Sequence, residues 1–212
     1  MRQPQPEQQI RLLLADDQAL VRGALAALLG LESDLQVVAE VGRGDEVVAA
    51  ARRSRPDVAL LDVEMPGLDG IAATVALRAA VPSCRVLVVT TFGRPGYLRR
   101  AMASGASGFI VKDTPARQLA DAVRRVARGL RVVDPTLAAE TLVSGDTPLT
   151  TRETDVLRVA RAGGTVADIA AGLGLSEGTV RNHLSSAIGK VGARTRAEAI
   201  RLAEERGWLL GE

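Results

Sequence analysis

Residues 57–70 read DVALLDVEMPGLDG. They join a short apolar, β-branched-rich run, Val58–Val63, to an amphipathic segment of helical period, Ile71–Ala80, and leave a carboxylate, Asp62, at the end of the run. The same succession recurs on both sides. Upstream, Ile10–Ala15 precedes Ala19–Leu29, and Val37–Val41 precedes Asp45–Arg53. Downstream, Val86–Thr91 precedes Gly96–Ala103, and the shorter Gly108–Lys112 precedes Pro115–Arg128. Strand followed by helix, five times over, predicts an α/β unit with a five-stranded, doubly wound parallel sheet. The nearly unbroken hydrophobicity of the strands agrees, because parallel strands are buried on both faces.

After Arg128 the pattern changes. Residues 129–146 carry Gly129, Pro135 and Gly145 without a steady period, although Pro135–Val143 is compatible with a helix. The chain therefore divides into a polar, disordered N-terminus at 1–9, a first domain at 10–128, a linker at 129–147 and a second domain at 148–212. The second domain has no strand signals. Thr150 and Glu153 fit a capping box, and Thr165 with Asp168 and Thr195 with Glu198 repeat the spacing. A helix at Val166–Ala171, a turn at Gly172–Leu175 and a helix capped by Ser176 over about Glu177–Val191 form a helix-turn-helix. One helix stands in front and one behind, so the second domain is all-α with four helices.

Composition limits what the chain can be. Hydrophobic residues make up 47% and charged residues 25%, the balance of a soluble globular protein, with cores of Leu, Val, Ile and Ala because aromatics are scarce. The single cysteine, Cys84, excludes a disulfide framework and suits a reducing compartment. Residues 1–9 lack the apolar stretch of a signal peptide and no segment is long enough to cross a bilayer, so the expected location is cytoplasmic, with no membrane partner. A net charge of +2 is too small by itself to point to nucleic acid.

The informative residues sit at the carboxyl ends of the strands: Asp16 and Asp17 after the first, Asp62 at the third, Thr90 at the fourth, Lys112 at the fifth. In an open α/β sheet these ends face one crevice. Any one Asp there would ordinarily be read as a cap or turn residue. Their joint occurrence at consistent strand ends favours a site. Carboxylate oxygens suit Mg²⁺, a carboxylate can attack phosphorus to form an acyl phosphate, and Lys and Thr can hold the phosphoryl oxygens.

In the second domain, Val180, Leu184, Ala187, Ile188 and Val191 share one helical face and should point to the core. Arg181, Asn182, Ser185 and Ser186 then point outward, where side chains reach base edges in a major groove. Thr179, His183, Lys190, Arg194 and Arg196 are better placed for phosphates. Residues 146–212 hold nine basic and nine acidic residues, whereas 177–201 hold five against two, a local +3. Cys84, Met65 and Trp208 read as structural, and Glu153 as a capping residue.

LLLADD (12–17), DVALLDVEMPGLDG (57–70), VLVVTT (86–91) and GASGFIVKD (105–113) resemble a receiver domain, which has a flavodoxin-like fold. The C-terminal half resembles a LuxR-type helix-turn-helix, so the whole chain is similar to the NarL/FixJ family of two-component response regulators. TTFGRPGY (90–97), GTVRN (178–182) and Gly207–Trp208 most resemble the DesR-like subgroup, which implies control of membrane-lipid desaturation. The resemblance implies Asp62 as phosphoacceptor for a sensor histidine kinase. It implies Mg²⁺ held by Asp17, Asp62 and the Glu64 carbonyl, with Asp16 orienting a metal-bound water. Lys112 would pair with the phosphoryl group, Thr90 would swing toward it, and Phe109 would follow into a buried rotamer. Phosphorylation would promote homodimerisation, through helices at 18–29 and 115–128 in a DesR-like chain, and promoter binding.

Some positions depart from the commoner pattern. Phe109 replaces the usual Tyr, Thr91 the usual Ala, and Glu64 and Phe92 flank the site, which puts the lifetime of the phosphoryl group in question. Two other classes stand beside this reading. A phosphohydrolase with an Asp nucleophile would need a second Asp where Glu64 stands. A phosphorylation-independent regulator would not need the intact set of Asp16, Asp17, Asp62, Thr90 and Lys112.

Overall fold

A computed structural model describes residues 9–91, 93, 95–144 and 147–209. The expected disorder at 1–9 falls, apart from Gln9, outside the described residues, as does Phe92. The chain divides into two compact units, the first built on the sheet and the second on the C-terminal helices.

In the first unit, β1 (Ile10–Ala15), β2 (Leu35–Val41), β3 (Val58–Leu61), β4 (Arg85–Thr90), β5 (Gly108–Val111) and β6 (Val132–Val133) form one parallel sheet in the order β2-β1-β3-β4-β5-β6. The intervening helices are α1 (Ala19–Gly30), α2 (Val47–Ser54, entered by a 3-10 turn at Gly44–Glu46), α3 (Gly70–Ala80), α4 (Pro95–Ala103) and α5 (Ala116–Ala127). Alternation along the strands builds two cores. Leu12, Leu14, Leu60, Leu87 and Val89 pack with Leu29 of α1 and with Leu119, Val123 and Val126 of α5. The intervening Leu13, Ala59, Leu61, Val88 and Phe109 face the other side of the sheet and are equally buried.

The sheet has six strands, where the sequence pattern indicates five. The extra strand lies in the segment read as linker, paired with β5 through Gly108↔Val132 and Phe109↔Val133. Two residues are too few to carry a period, so only pairing reveals them. The compatible helix at 135–143 is present as α6 (Pro135–Ser144), with Asp134 Oδ1 accepting from the Leu137 amide at 3.0 Å.

The second unit comprises α7 (Thr151–Arg161), α8 (Val166–Leu173), α9 (Glu177–Val191) and α10 (Arg196–Glu205). Thr150 and Thr165 close full capping boxes with Glu153 and Asp168. Thr195 caps α10 through the Glu198 amide, but Glu198 reaches back one residue further, to the Arg194 amide. Gly174 ends α8 in the left-handed conformation (φ 64°), which turns the chain into the Ser176 cap of α9. Val156, Leu157, Ile169, Val180, Leu184, Ala187, Val191, Ala199 and Trp208 form the core.

Candidate functional site

Ladder bonds fix the strand ends that carry the acidic cluster. The Asp62 amide donates to the Ala15 carbonyl at 2.8 Å, the Lys112 amide to the Thr90 carbonyl at 2.7 Å, and the Asp16 amide to the Val41 carbonyl at 3.2 Å. Four strands thereby bring their last residues to one edge. Carboxylate oxygens of Asp16, Asp17 and Asp62 lie within 4.8 Å of one another. Asp16 and Asp62 are buried and Asp17 is exposed, so the cluster has a floor and an open side. Lys112 Nζ donates to Asp62 Oδ2 at 2.9 Å and sits 2.7 Å from Asp16 Oδ2 as an ion pair without a directional hydrogen bond. Asp62 Oδ1 accepts from the Val63 amide at 2.8 Å, and Asp16 Oδ1 from the Gln18 amide at 2.9 Å. The Arg22 guanidinium clamps the Asp16 carbonyl.

Burial raises the Asp62 carboxyl above the ordinary range, and the nearby charge of Asp16 adds to this, while Lys112 and the Val63 amide oppose it. Burial alone would lower the Lys112 ammonium, but its pairing with Asp16 and Asp62 outweighs that and raises it. Two buried carboxylates thus share one cation. Counting Asp17, three negative charges face one positive charge, a deficit of two that a divalent ion would fill. The donors are all hard oxygens, which fits Mg²⁺.

Thr90 and Phe109 are also buried, Phe109 completely. Thr91 and Glu64 are exposed beside the cluster. Gly70, at the start of α3, is required by close approach: a Cβ there would collide with the Asp62 carbonyl oxygen. Cys84 is fully buried, and burial pushes its thiol up to about 12, so it is inert.

In α9, Val180, Leu184, Ala187 and Val191 are buried and Ile188 half-buried, while Arg181, Asn182 and Ser185 are exposed. Arg181 pairs with Glu177 one turn earlier at 2.6 Å. The Thr179 hydroxyl lies 2.8 Å from the Ser176 hydroxyl within the cap. His183 is half-buried, Arg194 exposed, and half-buried Arg196 donates to the Gly164 carbonyl at 3.1 Å. Glu153 does more than its spacing to Thr150 indicates. It is almost wholly buried, accepting from Ser186 Oγ at 2.6 Å, Lys190 Nζ at 2.8 Å and the Thr150 amide at 2.7 Å. Burial would raise its carboxyl, but these donors hold it down to about 2.

A family pattern described as "Response regulator receiver domain" matches residues 12–124. The chain belongs to the response regulators. A second pattern, "Bacterial regulatory proteins, luxR family", matches residues 147–203, so this response regulator carries a LuxR-type DNA-binding domain. It is 42% identical over 200 residues to the uncharacterized transcriptional regulatory protein YvfU of Bacillus subtilis, covering 94% of this chain and all of that one. It is 40% identical to the transcriptional regulatory protein DesR of the same organism, covering 94% and 99%. The crystal structure of the response regulator ChrA, from a heme-sensing two-component system, matches with a TM-score of 0.58 and 32% identity over 96% of this chain and all of that one. These relatives are regulators, and the response regulator is a transcription factor rather than a phosphohydrolase. No described helix is long and apolar enough to cross a membrane.

Proposed function

We propose that this response regulator takes a phosphoryl group on Asp62 from a sensor histidine kinase and thereby gains affinity for promoter DNA. The observation that carries the reading is the packing of Asp16, Asp17 and Asp62 within 4.8 Å, with Lys112 bridging the two buried members. Asp17, Asp62 and the Glu64 carbonyl would hold Mg²⁺, with Asp16 orienting its water. When bound, the ion neutralises charge on the phosphoryl oxygens as they approach. Asp62 Oδ2 attacks phosphorus and the kinase histidine leaves. Lys112 then turns from the carboxylate toward the phosphoryl group, and Thr90, at the end of the adjacent strand, donates to another of its oxygens. Phe109, buried in β5, would follow the movement of Thr90.

Dimerisation is the proposed output. Leu20 on α1 and Leu31 at its C-cap are 87% and 82% exposed, and Leu28, 43% exposed, stands between them in sequence. Eight and eleven residues separate Leu28 and Leu31 from Leu20, which makes an apolar stripe suited to a second copy. The stripe favours the α1 and α5 faces as the contact. Pairing two α9 helices on adjacent half-sites would raise affinity through effective concentration. Arg181, Asn182 and Ser185 are the candidate base readers, with Thr179, His183, Arg194 and Arg196 near the backbone. The protein would work in the cytoplasm, and the DesR-like resemblance makes genes of membrane-lipid desaturation the proposed targets. Genome-wide capture of bound DNA tests that last point; recovery of unrelated promoters only would reject it.

The central test compares wild type with Asp62→Ala, each with beryllofluoride and Mg²⁺. Wild type should double in mass and bind DNA more tightly, and Asp62→Ala should do neither. Identical behaviour of the two proteins would refute phosphorylation control.

A further inference from the structure

We infer that Glu153, Ser186 and Lys190 form an internal lock that sets the roll of the recognition helix, and that Lys190 is a positioning residue rather than a phosphate contact. The inference rests on the DNA-binding reading of α9 and assigns roles within it. Ser186 and Lys190 stand four residues apart, on one face of α9. Both reach a single carboxylate on α7: Ser186 Oγ donates to Glu153 Oε1 at 2.6 Å and Lys190 Nζ to Oε2 at 2.8 Å. Glu153 Oε2 also accepts from the Thr150 amide at 2.7 Å, which pins the carboxylate to the start of α7. The Glu153 side chain is 5% exposed and the Lys190 side chain 37%.

A buried carboxylate with donors on both oxygens has one favourable orientation, because turning it breaks a charge-assisted bond on either side. Two bonds to different turns of the same helix hold it against rotation and sliding together. The apolar face formed by Val180, Leu184, Ala187 and Val191 packs α9 into the core without a directional bond. Arg181, Asn182 and Ser185 lie on the exposed side of α9, so a roll moves all three relative to the bases at once. The chain contains only two lysines among its 27 basic residues, Lys112 and Lys190, and each faces a buried carboxylate. At other cationic positions it uses arginine. A compact ammonium on a flexible stem suits a buried, single-point partner, whereas the guanidinium fork suits phosphates.

The test uses the full-length chain and two probes: a duplex selected from a randomised pool by the wild-type protein, and a scrambled duplex. Lys190→Met should lower the selected-to-scrambled affinity ratio about tenfold, the scale of a lost charge-assisted bond. It should leave the salt dependence of scrambled-duplex binding unchanged. Loss of a phosphate contact would instead reduce that slope by about 0.9 and leave the ratio intact; that result would overturn the inference. Glu153→Gln should also lower the ratio, and Glu153→Gln/Lys190→Met should be no worse than Lys190→Met. Additive losses would overturn it too. Glu153→Gln keeps an acceptor for Thr150. Should it not fold, Lys190→Met decides alone, since it leaves a half-exposed position. Arg181→Ala separately tests the DNA-binding reading: it should abolish the preference for the selected duplex with the lock intact.

Discussion

Lys112 Nζ lies 2.9 Å from Asp62 Oδ2 and bridges it to the neighbouring Asp16, so one ammonium serves two buried carboxylates. The arrangement is under-neutralised because of its sequence positions: four strand ends meet, and three of the five groups they bring are acids. Such a site stores repulsion that a divalent ion relieves.

The first prediction concerns that repulsion. Asp62→Asn should raise the stability of the sheet unit by about 1 kcal/mol without Mg²⁺, because an amide does not repel Asp16. In wild type, Mg²⁺ at a hundredfold excess over its Kd should add about 2.7 kcal/mol. Asp17→Ala should lose most of that gain. Urea denaturation followed by circular dichroism measures all three, and equal Mg²⁺ responses in wild type and Asp17→Ala would exclude Asp17 as a ligand.

Gly70→Ala should destabilise the same unit by about 2 kcal/mol or more. The new methyl group would collide with the Asp62 carbonyl, and the backbone on both sides is hydrogen-bonded, with the Gly70 amide donating to Val63. Phosphorylation from acetyl phosphate should also slow, since the carboxylate moves with its carbonyl. Unchanged stability would show that the β3–α3 turn yields more easily than its packing indicates.

A third prediction is a pH dependence located in the helical unit. The Glu153 carboxyl is held down from 4.5 to about 2. A depressed folded-state value means stability that is complete above about pH 4.5 and is lost as pH falls toward 2. The loss should be about 2 kcal/mol, below the full value of the shift because Lys190 is partly solvated. Trp208 is the only tryptophan and is buried in this unit, so its fluorescence reports the transition. Glu153→Gln should be less stable at neutral pH and nearly flat between about pH 5 and pH 3. An acid dependence as steep as that of wild type would assign the effect to other carboxylates.

Leu20→Lys combined with Leu31→Lys should prevent dimerisation under beryllofluoride and leave the monomer within about 0.5 kcal/mol of wild type, because both side chains are mostly in water. Sedimentation distinguishes monomer from dimer. A dimer that survives both charges would move the contact away from α1.

Much of this was legible from the chain alone wherever a local rule sufficed. β1 at Ile10–Ala15 and α9 at Glu177–Val191 fall where the apolar periodicities and the Ser176 cap put them. The Thr150 and Thr165 boxes follow from residues three apart. β2 starts at Leu35, two residues before its β-branched run, because pairing with β1 extends it through polar Gln36. β6 left no periodic trace, since two residues cannot show one.

The cluster of Asp16, Asp17, Asp62, Thr90 and Lys112 was also within reach of the sequence. A parallel sheet sends every strand's carboxyl end to the same edge, so position along each strand was enough. The partners of Glu153 were not within reach. Its spacing to Thr150 identifies a cap, but Ser186 and Lys190 are 33 and 37 residues away, and only the packing of α7 against α9 brings them to the same carboxylate. Sequence by itself determined the periodic elements, the Thr150, Thr165 and Ser176 caps and the acidic edge, because these depend on period and on near neighbours. Tertiary structure alone decided β6 and the pairing of Glu153 with Ser186 and Lys190, because these depend on how segments distant in sequence pack together.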